Sequence, residues 1–480
     1  MKILHVCAEF YPLIKTGGLA DVTGALPKVL NKLGEQCRIL IPGYPAIKSG
    51  VSNAQVVKTI NTFAGQATIL FGYCNDIGIY IIDAPHLYAR EGSPYHDMYQ
   101  NAYADNYLRF ALLGWIASEL ACGLDYYWQP DIVHSHDWHA GLSCVYLNLK
   151  QPYHHAKSIF TIHNLAYYGN FERYHLQEIQ IPQSYFNVNG LEYYGQISYL
   201  KAGLYYSDHI TTVSPTYAKE ITTTEFGNGF DGLLRTRAEQ QRLTGILNGI
   251  DDDVWNSTKD TLIVSRYNKR NLRNKHTDKY FLQNEFGLDT NNKQPLFCII
   301  SRLTKQKGLD LVLSLLPEIL ARRGQFILLG SGDDDLYQAF SKLANNPQYQ
   351  NNIAIYYGYN EELSHRIIAG ADILMVPSRF EPCGLTQLYA LKYGTLPLVH
   401  RTGGLSDTVI DSTNENLDNK TATGFAYIDS NQEGLRYAIN RAFELWQSQQ
   451  TWRILQQRAM SQSFSWQESA KQYQQLYNAV

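Results

Sequence analysis

Short apolar runs rich in β-branched residues recur along the chain, each separated from the next by an amphipathic stretch of helix length. That alternation admits few folds other than βαβ units laid on a parallel sheet. In the first half the runs predict strands at Lys2 to Cys7, Gln36 to Ile41, Gly78 to Ile82, Ile132 to Ser135, Ser158 to Ile162 and His209 to Val213. In the second half they predict strands at Leu296 to Ser301, Gln325 to Leu329, Ile353 to Tyr357, Ile373 to Val376 and Leu396 to Val399. Single cores stop growing near about 250 to 300 residues, so 480 residues divide most economically into two α/β domains. Each is a doubly wound, Rossmann-like sheet.

The division falls where a strand-like Leu243 to Leu247 runs into the turn-rich Asn248-Gly249-Ile250-Asp251-Asp252-Asp253. The expected plan is a first domain over residues 1–245, a hinge over 246–256, a second domain over 257–455, and a C-terminal helix over 456–480 packing back toward the first domain. The last stretch has helical spacing of Trp452, Leu455 and Met460, then of Trp466, Ala470, Tyr473 and Tyr477, with a break near Phe464 and Ser465.

Composition removes several classes of function. Apolar residues make up 45% of the chain, enough for two sizeable cores. With 41 Lys and Arg against 44 Asp and Glu, and no basic stripe, nucleic acid is not an expected partner. The seven cysteines are odd in number, scattered and free of C-x-x-C, which argues against a disulfide framework or a thiolate zinc site. No run reaches the roughly 20 apolar residues of a membrane span, and the N-terminal run is too short for a signal peptide. A cytoplasmic enzyme with no membrane partner is expected.

Open α/β sheets bind ligands beyond the carboxyl ends of their strands, where helix N-termini offer N–H groups and partial positive charge to anions. Three predicted strand ends carry groups suited to this. After the first strand come Lys15, Gly17 and Gly18, a cation and two glycines that let backbone amides approach a phosphate. After the Leu296 strand come Arg302 and Lys307, a planar fork and a point charge that can converge on a diphosphate. After the Ile373 strand come Glu381, free to accept from sugar hydroxyls, and the run Cys383-Gly384-Leu385-Thr386, whose amides can receive phosphate or ribose oxygens. Each loop alone reads equally well as a solvated turn or a helix cap; the three together favour a nucleotide-sugar site. Lys15-Thr16-Gly17-Gly18-Leu19 with Asp21 is echoed by Arg401-Thr402-Gly403-Gly404-Leu405 with Asp407. For the second copy a common turn and a functional loop both stay open.

The same residues carry a resemblance. Glu9 to Val22, His134-Ser135-His136-Asp137-Trp138-His139-Ala140-Gly141, Thr161-Ile162-His163-Asn164-Leu165-Ala166-Tyr167, Ser301 to Gly308 and Ser378 to Gln387 resemble, in order, the motifs of bacterial glycogen synthases and plant starch synthases. The resemblance implies a GT-B fold, two Rossmann-like domains facing a deep cleft, with retaining transfer of glucose from ADP-glucose to the non-reducing end of an α-1,4-glucan such as glycogen or a maltooligosaccharide. It implies that Lys15, Arg302 and Lys307 neutralise the diphosphate and that Glu381 holds the transferred glucose. It places His163 beside the anomeric carbon with its backbone carbonyl facing the sugar, Tyr359 on the adenine, and Tyr95, Asp137, Trp138 and Asn248 around the sugar and acceptor. No cofactor or metal is implied.

Two metal readings compete. His134, His136, Asp137 and His139 are zinc-ligand types at short spacing, but H-x-H-x-D-H would need Asp at position 138, where Trp138 stands. Asp251-x-Asp253 matches the D-x-D of metal-dependent transferases in form, yet three aspartates after Asn-Gly-Ile read as a solvated turn.

Overall fold

The computed structural model describes residues 1–480. Its strands are β1 (Lys2–Val6), β2 (Gln36–Pro42), β3 (Ser52–Thr62), β4 (Gly65–Cys74), β5 (Ile77–Asp83), β6 (Ile132–His136), β7 (Lys157–Ile162), β8 (Asn170–Phe171), β9 (Glu192–Tyr193), β10 (Gln196–Ser198), β11 (His209–Thr212) and β12 (Leu243–Gly245). They continue as β13 (Leu296–Ile300), β14 (Gln325–Gly330), β15 (Ile353–Tyr357), β16 (Ile373–Val376), β17 (Leu396–His400) and β18 (Phe425–Tyr427). Every strand expected from the apolar runs is present, within about a residue or two at its ends.

The chain forms two units, Met1–Gly249 with Trp466–Val480, and Ile250–Ser465. The first holds a nine-stranded sheet in the order β12-β11-β7-β6-β1-β2-β5-β4-β3, parallel except for the β3–β4–β5 meander at one edge. In that edge hairpin β3 is exposed along most of its length, with only its β-branched Val56, Val57, Thr59, Ile60 and Thr62 hinting at a strand, while β4 puts Ala67 and Ile69 into the core. The second unit holds a parallel sheet in the order β15-β14-β13-β16-β17-β18. Alternate residues of its strands feed two cores. Leu296, Cys298, Ile327, Leu329 and Leu374 face one side, and Phe297, Ile299, Phe326, Leu328 and Ile373 the other. Burial on both faces is why these strands read as continuous apolar runs and not as alternating ones.

Residues 456–465, expected with the C-terminal helix, belong to the second unit. Helix Gln449–Ala459 buries Trp452, Leu455 and Ala459 in the second unit's core. Only helix Trp466–Ala479 joins the first unit, where Trp466, Ala470, Tyr473 and Tyr477 pack on Val22, Leu26 and Leu30 of helix Gly18–Lys32. Both helices are amphipathic, and their spacing does not say which core each face meets. No helix is long and apolar enough to cross a membrane.

In both sheets the order of strands reverses beside the first strand of the unit. In the first, β1 runs outward to β2 and β5, and β6 returns to β1's other side; in the second, β13 leads to β14 and β15, and β16 returns beside β13. These are the topological switch points, whose carboxyl ends bind ligands in open α/β sheets.

Candidate functional site

In the first unit Lys15, Asp137 and His163 follow β1, β6 and β7, neighbours across the switch point. Lys15 Nζ pairs with Asp21 at 2.8 Å on an exposed loop. The loop is held from below by Glu9, a buried carboxylate that sequence reading did not single out. Its Oε2 accepts from the backbone N–H groups of Thr16 (2.6 Å) and Gly17 (3.0 Å), and its Oε1 accepts from the Tyr95 hydroxyl at 2.5 Å. Burial raises the Glu9 pKa against these hydrogen bonds. The Gly17 amide, expected to face a phosphate, therefore serves a carboxylate of the chain itself, and Gly18 opens helix Gly18–Lys32. Tyr95 also stacks on His139 with centroids 4.5 Å apart.

Asp137 stands at φ 58°, in the left-handed region, a strained conformation typical of functional positions. Its Oδ1 accepts from the backbone N–H of His163 at 2.8 Å and of Asn164 at 3.3 Å. This fixes the loop after β7. Burial pushes its pKa up to about 7 against those two bonds. Trp138 packs among Phe110, Phe171 and Tyr199, with Gly169 lying against its ring. Asn248, buried, keeps a side-chain oxygen without a partner.

Of the four residues weighed as zinc ligands, His134 and His136 project from the same face of β6, and His5 of β1 lies in register with His134. His5, His134 and His136 come within 4.8 Å of one another. However, the nitrogens of His134 already lie 2.8 Å from the Tyr477 hydroxyl and 2.6 Å from Thr161 Oγ1. His5 Nδ1 and His136 Nε2 are hydrogen-bonded at 3.0 Å. The arrangement reads as a hydrogen-bonded cluster. In the Asp251 turn, Asp251 accepts from the Asp253 amide, and Asp253 pairs with Lys259.

In the second unit the loops after β13 and β16 are knitted together. Gly308 takes φ 69°, and a Cβ there would lie 2.1 Å from the Pro377 carbonyl oxygen. The glycine is what lets the two loops meet. Arg379 N–H donates to the Gln306 carbonyl at 2.8 Å, and the Arg379 guanidinium grips Asp310 at 2.8 and 2.7 Å. The result is that Lys307 Nζ reaches Glu381 Oε2 at 2.5 Å, while Ser378 Oγ donates to the same oxygen at 2.8 Å. Gly308→Ala is expected to cost about 1–3 kcal/mol through strain and to reduce turnover by parting these loops. Thermal melting together with kcat checks both effects; an unchanged melt and unchanged kcat would contradict this account of the contact.

The second Thr-Gly-Gly copy has a structural task. Gly403, at φ 43°, lies so close beneath Glu381 that a Cβ would stand 2.0 Å from its carbonyl oxygen, and Gly404 N–H donates to that oxygen at 3.1 Å. It buttresses the Glu381 loop. Helix Thr386–Lys392 follows the buried Cys383 and Gly384-Leu385, and its N-cap residue Leu385 makes no side-chain cap bond. Arg302 is exposed. Tyr359, 70% exposed, follows the edge strand β15, its hydroxyl 3.0 Å from Glu361.

Of the expected residues, Lys15, Asp137 and His163 follow strands at the first unit's switch point and Arg302, Lys307 and Glu381 follow strands at the second's, whereas Tyr359 and Asn248 follow the edge strands β15 and β12 and Tyr95 lies on a loop that follows no switch-point strand. Of the supports, Gly403 stood in the Thr-Gly-Gly echo and Glu9 and Ser378 in the quoted motifs without a role assigned to them, while His5 was missed because only the β1–β6 register brings it to the site.

Residues 2–236 match the family model described as the starch synthase catalytic domain, and residues 282–457 match glycosyl transferases group 1. The chain is 56% identical over 481 residues to the glycogen synthase of Pectobacterium atrosepticum, covering 100% of this chain and 99% of that one. It is 55% identical over 480 residues to the glycogen synthase of Actinobacillus succinogenes, covering both completely. Among solved structures, the catalytic domain of starch synthase IV from Arabidopsis thaliana, bound to ADP and acarbose, superposes with a TM-score of 0.90 at 31% identity, covering 99% of this chain and 98% of that one. With relatives more than half identical along its whole length and family models matching both halves, the chain belongs to the glycogen and starch synthase family of glycosyltransferases.

Proposed function

We propose that this glycosyltransferase moves glucose from ADP-glucose to the non-reducing end of an α-1,4-glucan with retention at the anomeric carbon, lengthening glycogen in the cytoplasm. The observation that carries the reading is the Lys307–Glu381 pair at the second unit's switch point. A cation suited to a diphosphate and a carboxylate suited to sugar hydroxyls are held by one set of loops. When the bond from C1 to the diphosphate oxygen breaks, negative charge grows on ADP and positive charge on the ring. Preorganised cations and oxygens lower that barrier. In the second unit Arg302 and Lys307 are suited to the diphosphate, with the N-terminus of helix Thr386–Lys392 adding N–H groups, and Glu381 to the glucose; in the first unit Lys15 is suited to a phosphate and the His163 carbonyl to a cationic ring.

Retention follows from attack on the face that the leaving group vacates. The acceptor 4-hydroxyl forms the new bond to C1 and passes its proton to the departing phosphate oxygen. Asp137 is poorly suited to act as a covalent nucleophile, since burial disfavours its ionised form and its Oδ1 is committed to two backbone amides. Tyr359 supplies a flat face for the base, and Tyr95, Trp138 and Asn248 line the sugar and acceptor region. All seven cysteines are free thiols, which suits a reducing compartment.

The test is release of nucleoside diphosphate from ADP-glucose and from UDP-glucose with glycogen present. ADP-glucose is expected to be the better donor by at least about tenfold in kcat/KM, some 1.4 kcal/mol. Equal use of both, or release that does not depend on glycogen, would overturn the assignment.

A further inference from the structure

A file of three imidazoles runs from the interior of the first unit to the loop after β7. His5 Nδ1 lies 3.0 Å from His136 Nε2, and His136 Nδ1 lies 3.1 Å from His163 Nε2. β-Sheet geometry places it: His136 on β6 is one strand from His5 on β1, and His163 lies two residues past Thr161, the partner of His136 in β7. His134 stacks on His136 with centroids 4.2 Å apart and steadies its plane. Burial pushes the pKa values of His5 and His163 down to about 3 and that of His136 well below its usual value, so each ring is neutral and carries a single N–H.

Neutral rings in file must all donate in the same direction. The far nitrogen of His5, Nε2, is buried and has no partner. If the file donated inward, that nitrogen would be an N–H donor without an acceptor; if it donates outward, it is only a bare lone pair, the smaller cost. We propose that His5 and His136 are positioning residues that form a one-way hydrogen-bonded file, holding His163 in the Nδ1–H tautomer so that its remaining nitrogen can donate to, and cannot accept from, a hydroxyl of the bound sugar. The inference rests on the reading of His163 as lying beside the sugar.

The first measurement uses the full-length wild-type protein labelled with 15N in its histidines, the His163 signals being identified by their loss in His163→Gln. Long-range proton–nitrogen correlation at neutral pH should show Nδ1 protonated and Nε2 bare; the reverse overturns the proposal. Because this reading needs no turnover, a wrong tautomer is distinguished from a wrong role for His163. The second measurement is kinetic. His136→Leu removes the donor to His163 and should lower kcat about tenfold or more, the usual scale for a lost orienting partner, with donor KM within about twofold. His136→Asn, whose amide nitrogen takes the place of Nδ1–H, should restore most of that loss. Equal losses in both variants, with folding shown intact by thermal melting, overturn the proposal, as does wild-type kcat in His136→Leu. If His136→Leu does not fold, the tautomer measurement alone decides.

Discussion

Replacing Glu381 with alanine is expected to lower kcat by at least about 100-fold while leaving donor KM within a few fold, and Lys307→Ala to lower kcat on the same scale while raising donor KM. The magnitude is that of losing one preorganised electrostatic group from a transition state. The two differ because a carboxylate repels a diphosphate, so Glu381 can help only through the sugar, whereas Lys307 meets charge that ADP carries before reaction. Lys15→Ala and Arg302→Ala should follow Lys307. The contact at 2.5 Å adds a sharper expectation. Removing Glu381 leaves Lys307 without its carboxylate partner, so part of the loss is misplacement of the lysine, and the double variant should fall well short of the product of the single losses. Glu381→Ala with normal kcat and raised KM would sink the assignment of its role, and strict multiplicativity would sink the coupling. Circular dichroism of each variant separates loss of function from loss of fold, which is expected to survive because all four side chains stand on strand-end loops.

Asp137→Asn should stabilise the protein, most of all above neutral pH. The folded-state pKa is raised, to about 7 from 3.8. Below pH 4 the carboxyl is protonated in both folded and unfolded chains and contributes nothing. Between about 4 and 7 the unfolded chain has released a proton that the folded chain keeps, so stability falls as pH rises; above 7 the whole penalty is present. Asparagine does not titrate. Its oxygen still accepts from the His163 and Asn164 amides, and it tolerates the left-handed backbone at φ 58° at least as well as aspartate. The gain should be small at pH 4 and reach a few kcal/mol at pH 8, a rise of several degrees in Tm. Melting curves across this range check it. A variant that melts with wild type at pH 8 would show that burial of this carboxylate carries no such cost.

The sequence by itself determined the class of fold, the parallel strands and the three loops that bear the cations and the carboxylate. Strands buried on both faces must be apolar throughout, and loops at their carboxyl ends must carry whatever chemistry there is, so both signals are local and survive in one dimension. The H-x-H of β6 was visible too, since a period of two places both rings on one face, but its partner was not. His5 is more than a hundred residues away, and only the β1–β6 register brings it beside them. Glu9 was legible as a residue but not as the acceptor for the Thr16 and Gly17 amides, because the turn that folds the loop back over it is a three-dimensional event. In the edge hairpin β3–β4, strand β3 left only a weak pattern because most of its residues are exposed. The meeting of Lys307 with Glu381 across 74 residues of chain was decided by tertiary structure alone. The approach of the two loops depends on a glycine at 308 whose need shows only when Pro377 lies against it.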